Sequence, residues 1–188
     1  MGLIIFAVVV VVIVFWVIGA YNQLIALKNR VLNAWKQIDV QLKRRHDLIP
    51  NLVETVRGAM SFERETLEAV IAARNSAVQA HGVGATAKAE GELTQALGRL
   101  FALSENYPDL KATTNVGQLQ EELASTENKI EFARQLYNDE ATLYNTKQAQ
   151  FPTNLVVGLA KASPAELWEI EDAAERAVPK VDLGFKRP

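Results

Sequence analysis

Apolar residues fill every position from Leu3 to Ile18 (LIIFAVVVVVIVFWVI), and Gly19, Ala20 and Tyr21 prolong the run before polar residues set in. No charged side chain precedes Lys28. About twenty residues at ~1.5 Å each cover ~30 Å, the thickness of a bilayer's hydrocarbon core. The pattern predicts a transmembrane anchor over residues 1–21, with residues 3–21 in contact with lipid. Valine and isoleucine favour strands, but a spanning segment must satisfy its own backbone hydrogen bonds, and a helix does so. A cleaved signal peptide ending near Ala20 is the competing reading. It requires basic residues ahead of the apolar run, where only Met1 and Gly2 stand, so an anchor is favoured.

Beyond the anchor, the apolar residues recur at helical spacing. Leu24, Leu27, Val31, Trp35, Ile38 and Leu42 form one stripe, and Leu52, Val53, Val56, Met60, Leu67, Val70, Ile71, Arg74 and Val78 continue a second as far as His81–Gly84. Leu93, Ala96, Leu97, Leu100 and Phe101 make a third, which ends at Asn106-Tyr107-Pro108-Asp109. The fourth runs through Leu119, Leu123, Thr126, Ile130, Ala133, Tyr137, Ala141 and Tyr144 at steps of four and three, the spacing of nearly parallel packed helices. Period-two alternation is missing, so no sheet is expected. The fold class predicted is all-α: a transmembrane helix continuing into an antiparallel four-helix bundle over 22–151. An amphipathic segment, a short helix and a tail follow over 152–188.

Composition narrows the chemistry. The 188-residue chain carries a formal charge of −2, which gives no basic field for nucleic acid, and it has no cysteine for thiolate catalysis or thiolate metal sites. Charge distribution says more than its total. Lys28, Arg30, Lys36, Lys43, Arg44 and Arg45 face a single acid, Asp39, after the anchor. The positive-inside bias therefore predicts a single-pass protein with its N-terminus outside and its bundle in the cytoplasm.

The stretch RRHDLIPNLV, residues 44–53, holds the densest candidate chemistry. Electrostatic attraction to the membrane fades within a Debye length of ~8 Å, and these arginines lie ~36 Å along the helix from the bilayer. His46 and Asp47 point about 100° apart on a helix, and no nucleophile, metal set or orienting partner completes a catalytic site. A turn is expected instead. Pro50 would open the second helix, Asp47 would cap it, and Arg44 and Arg45 would sit at the negative end of the first. Together with Tyr107, Pro108 and Asp109, these residues form the candidate interaction site at the turns far from the membrane.

The blocks WKQIDVQLKRRHDLIPNLVETVRG (35–58), ALGRLFAL (96–103), YPDLKA (107–112), LQEELASTENKIEFARQLYN (119–138) and FPTN (151–154) resemble the bacterial LemA family. The resemblance extends from about residue 21 to the C-terminus. It implies a single N-terminal transmembrane helix, a cytoplasmic helical bundle and no established enzymatic activity or cofactor. It also implies links to membrane stress systems beside a membrane zinc protease and, for one relative, to magnetosome membrane formation. The chain departs from the family where an aromatic commonly follows Gly58, having Ala59, Met60 and Phe62, and in its individual stretch Lys161–Ala174.

Three further stretches carry expectations. Tyr137-Asn138 and Tyr144-Asn145 place polar groups one heptad apart, either as register-fixing buried groups or, more commonly, as exposed amides beside packed rings. The acidic helix 118–140 lacks the Glu-x-x-His spacing of a di-metal bundle, so no metal is expected. Leu155, Val156, Val157 and Leu159 would lie where the fourth helix returns to the bilayer, as a contact with lipid, with another copy or with the bundle. Ser163-Pro164-Ala165-Glu166 has the form of a helix start. The function expected is a non-enzymatic scaffold that forms homo-oligomers at the membrane, the alternative being an adaptor or regulator of a membrane protease. The anchor has no GxxxG, so lateral contacts are expected from the bundle and residues 152–178.

Overall fold

The computed structural model describes residues 1–58, 63–107, 110 and 114–169. Among them are α1 (Gly2–Arg57), α2 (Arg64–Gln79), α3 (Val83–Ser104) and α4 (Thr114–Ala149), then a 3-10 turn at Thr153–Val156 and a non-helical segment through residue 169. No strand occurs among the described residues, and the architecture is the all-α bundle behind an apolar helix that the periodicity predicts.

Helix α1 has 56 residues, which at ~1.5 Å each give a rod of ~84 Å. Its first turns are open: Leu3 to Phe15 are exposed, and Ala20 is the first buried residue. From there Ala20, Leu24, Leu27, Val31, Ala34, Ile38 and Leu42 share an apolar cluster with Ile130, Ala133, Tyr137, Ala141 and Tyr144 of α4. The helices run antiparallel. Arg30 lies 2.6 Å from Glu140, the Trp35 ring 5.4 Å from that of Tyr137, and Arg45 3.1 Å from Glu127. This register brings Phe151 level with Ala20, where the apolar run of α1 ends. A second cluster farther out joins Ile49, Leu52, Val53 and Val56 of α1 to Leu67 and Val70 of α2, Leu93, Leu97 and Leu100 of α3, and Leu123 of α4.

Two sequence expectations are corrected here. The turn expected at residues 44–51 is continuous helix, and Pro50 stands inside α1. The break comes later, between Arg57 and Arg64, which splits the second stripe between α1 and α2. Pro50 has no N–H to offer the carbonyl of His46 four residues back, an omission that normally breaks a helix. Arg74 of α2 supplies the donor instead, its Nε reaching His46 O at 3.2 Å. Asp47 is accordingly an exposed mid-helix residue and not a cap.

The helix expected from Ser163 is also absent. Residues 163–169 are non-helical because side chains of α4 take up the backbone groups a helix would use. The remainder of that expected helix lies outside the described residues.

Candidate functional site

Two polar constructions stand out among the apolar contacts. The first is a layer across the bundle between the two clusters. Arg45 occupies a seam position of α1, three residues after Leu42 and four before Ile49, and is only 4% exposed. Its Nη1 lies 3.1 Å from both Glu90 of α3 and Glu127 of α4, and its Nη2 donates to Thr94 Oγ1 at 2.8 Å. His46 is buried beside it, with Nε2 2.6 Å from Glu90 Oε1. Because Glu90 also accepts from Arg45, it is the acceptor here and His46 Nε2–H the donor. One carboxylate thus holds two cations or donors, and three helices are tied at one level. A cavity of about 310 Å³ opens next to the layer, lined by Arg45, Glu90, Glu127, Arg134 and Trp168 among others.

The second construction was missed from the sequence. Asn145 forms a two-point bond with the backbone of Ala165, its Oδ1 accepting from the N–H at 2.7 Å and its Nδ2 donating to the carbonyl at 2.8 Å. Asn138 repeats the arrangement on Trp168, at 2.9 and 3.0 Å. Between them Tyr137 Oη donates to Glu166 O at 2.6 Å.

The spacing explains the fit. One heptad of helix advances ~10.5 Å, and three extended residues advance ~10 Å, so two asparagines a heptad apart meet backbone groups three residues apart. The segment runs antiparallel to α4. Its anchor, Trp168, is 5% exposed, lies with its ring tilted against that of Trp35 at 6.0 Å and sits under the Arg134 guanidinium at 5.3 Å. Val83 and Ala87 of α3 close the other side, and Glu166 approaches Gly84 so nearly that a Cβ there would lie 2.7 Å from its Oε1. Burial, and then the Glu166 carboxylate, raise the Tyr137 phenol above its ordinary range, which keeps it a donor.

The residues singled out from sequence are dispersed. Arg45 is in the polar layer, while Arg44 is exposed, 4.0 Å from Glu122. Asp47 and Pro50 face outward on α1. Tyr107 lies elsewhere, at the far end of the bundle, donating to Glu63 at 3.1 Å. Pro108 and Asp109 lie outside the described residues. The expected far-end cluster is therefore not brought together by the described residues. The other candidate set divides in two: Val156 is buried and Val157 packs on the core, whereas Leu155 and Leu159 are 67% and 68% exposed. Phe151, which is 79% exposed, is a third open apolar side chain of the same turn segment.

The signal for the asparagine clasp was present as Tyr-Asn pairs one heptad apart. What the sequence did not show was the distant strand of backbone they hold.

A family model described as the LemA family matches residues 34–183. Protein LemA of Metamycoplasma hominis is 29% identical over 168 residues, covering 88% of this chain and 74% of that protein. Magnetosome protein MamQ 1 of Paramagnetospirillum magneticum is 22% identical and magnetosome protein MamQ of Magnetospirillum gryphiswaldense 21% identical, each over 184 residues, covering 84% of this chain and 68% of the relative.

Proposed function

Since the chain belongs to the LemA family and opens with a helix long and apolar enough to cross a membrane, we propose that it is a non-enzymatic scaffold that self-associates at the cytoplasmic membrane and takes part in membrane organisation or stress response. The observation that carries this reading is the exposure of three large apolar side chains, Phe151, Leu155 and Leu159, in the turns at the level where the anchor would leave the bilayer. The buried polar groups of the layer and the clasp are engaged with one another, whereas this apolar surface is left uncovered by the described residues. Relatives that bear the name of magnetosome proteins support a role in organising membranes.

Leu155→Asp with Leu159→Asp tests the reading. Burying each leucine contributes roughly 1.5 to 3 kcal/mol, so the pair should weaken association by about a hundredfold or more. Native mass measurement in mild detergent should find the wild type in high-mass homomers, and the variant helical and anchored but dispersed. A wild type that is monomeric in both detergent and lipid overturns the scaffold.

The adaptor reading is favoured by one separate observation. A groove between α1 and α4 is lined by exposed Val40, Phe132 and Leu136 beside Lys36 and Lys129, a surface suited to an apolar segment of another protein. A defined hetero-complex in the same mass measurement would support it.

A further inference from the structure

We propose that the Ala165–Trp168 segment of one copy can occupy the asparagine clasp of a neighbouring copy, so that the contact closed within the chain in this structure is also the junction that links copies together. This inference rests on the self-association reading above and names its device.

Four observations lead to it. The clasp reads backbone, through Asn138, Tyr137 and Asn145, and adds a single side-chain anchor, Trp168. Nothing in those bonds depends on the segment belonging to the same chain, and every copy carries both halves in matching form. The segment is also mechanically separate from what precedes it. The turns before it close at Lys161, which has φ 45°, with Lys161 N–H donating to Gly158 O and Ala162 N–H to Val157 O. These two bonds and the left-handed residue make a Schellman stop, usually built on glycine, after which the chain leaves in a new direction. A change at Lys161 and Ala162 can redirect the whole segment without unwinding a helix.

Reach and placement agree. From Lys161 to Trp168 an extended chain covers ~23 Å, about the width of two adjacent helices with side chains. A spanning α1 roots every copy at one height, so the clasps and segments of neighbours are level, and confinement to a plane raises the concentration at which they meet. The closed form keeps the advantage of an intramolecular contact, an effective concentration on the order of millimolar, so the two forms exchange with local density. Leu155 and Leu159, exposed just before the hinge, offer apolar surface to a neighbour beside the exchanged segment.

The chain has no cysteine, which permits a direct test. A copy carrying Ala165→Cys alone and a copy carrying Asn145→Cys alone are expressed together in one membrane and oxidised. Exchange predicts a covalent dimer joining the two variants, reduced about tenfold or more when Trp168→Ala is added to the first. The double variant with both cysteines in one chain serves as the geometric control. If it closes its internal disulfide while the mixed single-cysteine copies stay uncrosslinked at high density, exchange is overturned. If the double variant does not close, the same pairing is read with a photoreactive group in place of Trp168, and cross-links confined to its own chain overturn exchange equally. High-mass wild-type homomers without inter-copy cross-links would sink the exchange and leave the scaffold standing, whereas monomers throughout would remove both.

Discussion

A proline in the middle of a long helix is tolerated here because its missing hydrogen bond is replaced from outside. The pair to consider is Pro50 and Arg74, linked through the carbonyl of His46. Replacing Arg74 by methionine keeps most of its apolar stem but leaves that carbonyl unpaired, a cost of about 1 to 3 kcal/mol. Pro50→Ala restores a backbone donor. In that background Arg74→Met should cost less by roughly 1 kcal/mol or more, a coupling that urea unfolding of the four proteins would reveal. Strict additivity would mean that Arg74 acts through some other contact. The sequence displayed the proline and its local rule but not the donor: Arg74 is 24 residues away and reads as one more member of an amphipathic stripe. A turn was therefore the natural expectation, and Asp47 the natural cap. Neither survives once α2 lies alongside.

Where periodicity alone decides, the elements were legible. The seam of α4, from Leu123 through Ile130 and Tyr137 to Tyr144, is buried at the steps its sequence shows. Legibility fails where one element uses the polar groups of another. Ser163-Pro164-Ala165-Glu166 has a sound local signature for a helix, yet the asparagines of α4 claim its backbone and hold it out of a helix. Arg45 and Glu90 show the same limit, since each lies on an otherwise apolar seam and finds its partners, including the other, on different helices. Removing one member of a buried ion pair costs about 3 to 5 kcal/mol because the survivor keeps its desolvated charge. Glu90→Ala should therefore lower the unfolding midpoint sharply, while Arg45→Leu with Glu90→Leu should recover most of the loss. Thermal unfolding followed by circular dichroism distinguishes these outcomes; a nearly silent Glu90→Ala would show that the layer contributes little to stability.

At the level of the whole molecule, the proposed orientation rests on six basic residues after the apolar run against one acid. A reporter fused after Pro188 should be active only when it works in the cytoplasm, and activity on the outer side would reverse the proposed topology. The other large-scale property comes from the absence of any break in α1 between its apolar half and its far end. The part of α1 past Tyr21, residues 22–57, is a lever arm of ~54 Å. A hydrophobic stretch tilts when the bilayer is thinner than it is long, and spanning helices lean by ~20° on average. With no joint at the membrane surface, such a lean carries the far tip sideways by ~19 Å. In the proposed membrane-spanning arrangement, bilayer thickness would thereby be converted into lateral position, and two neighbours rooted in the same thin patch would lean by the same angle, their tips spaced by their heading as well as by the distance between their roots.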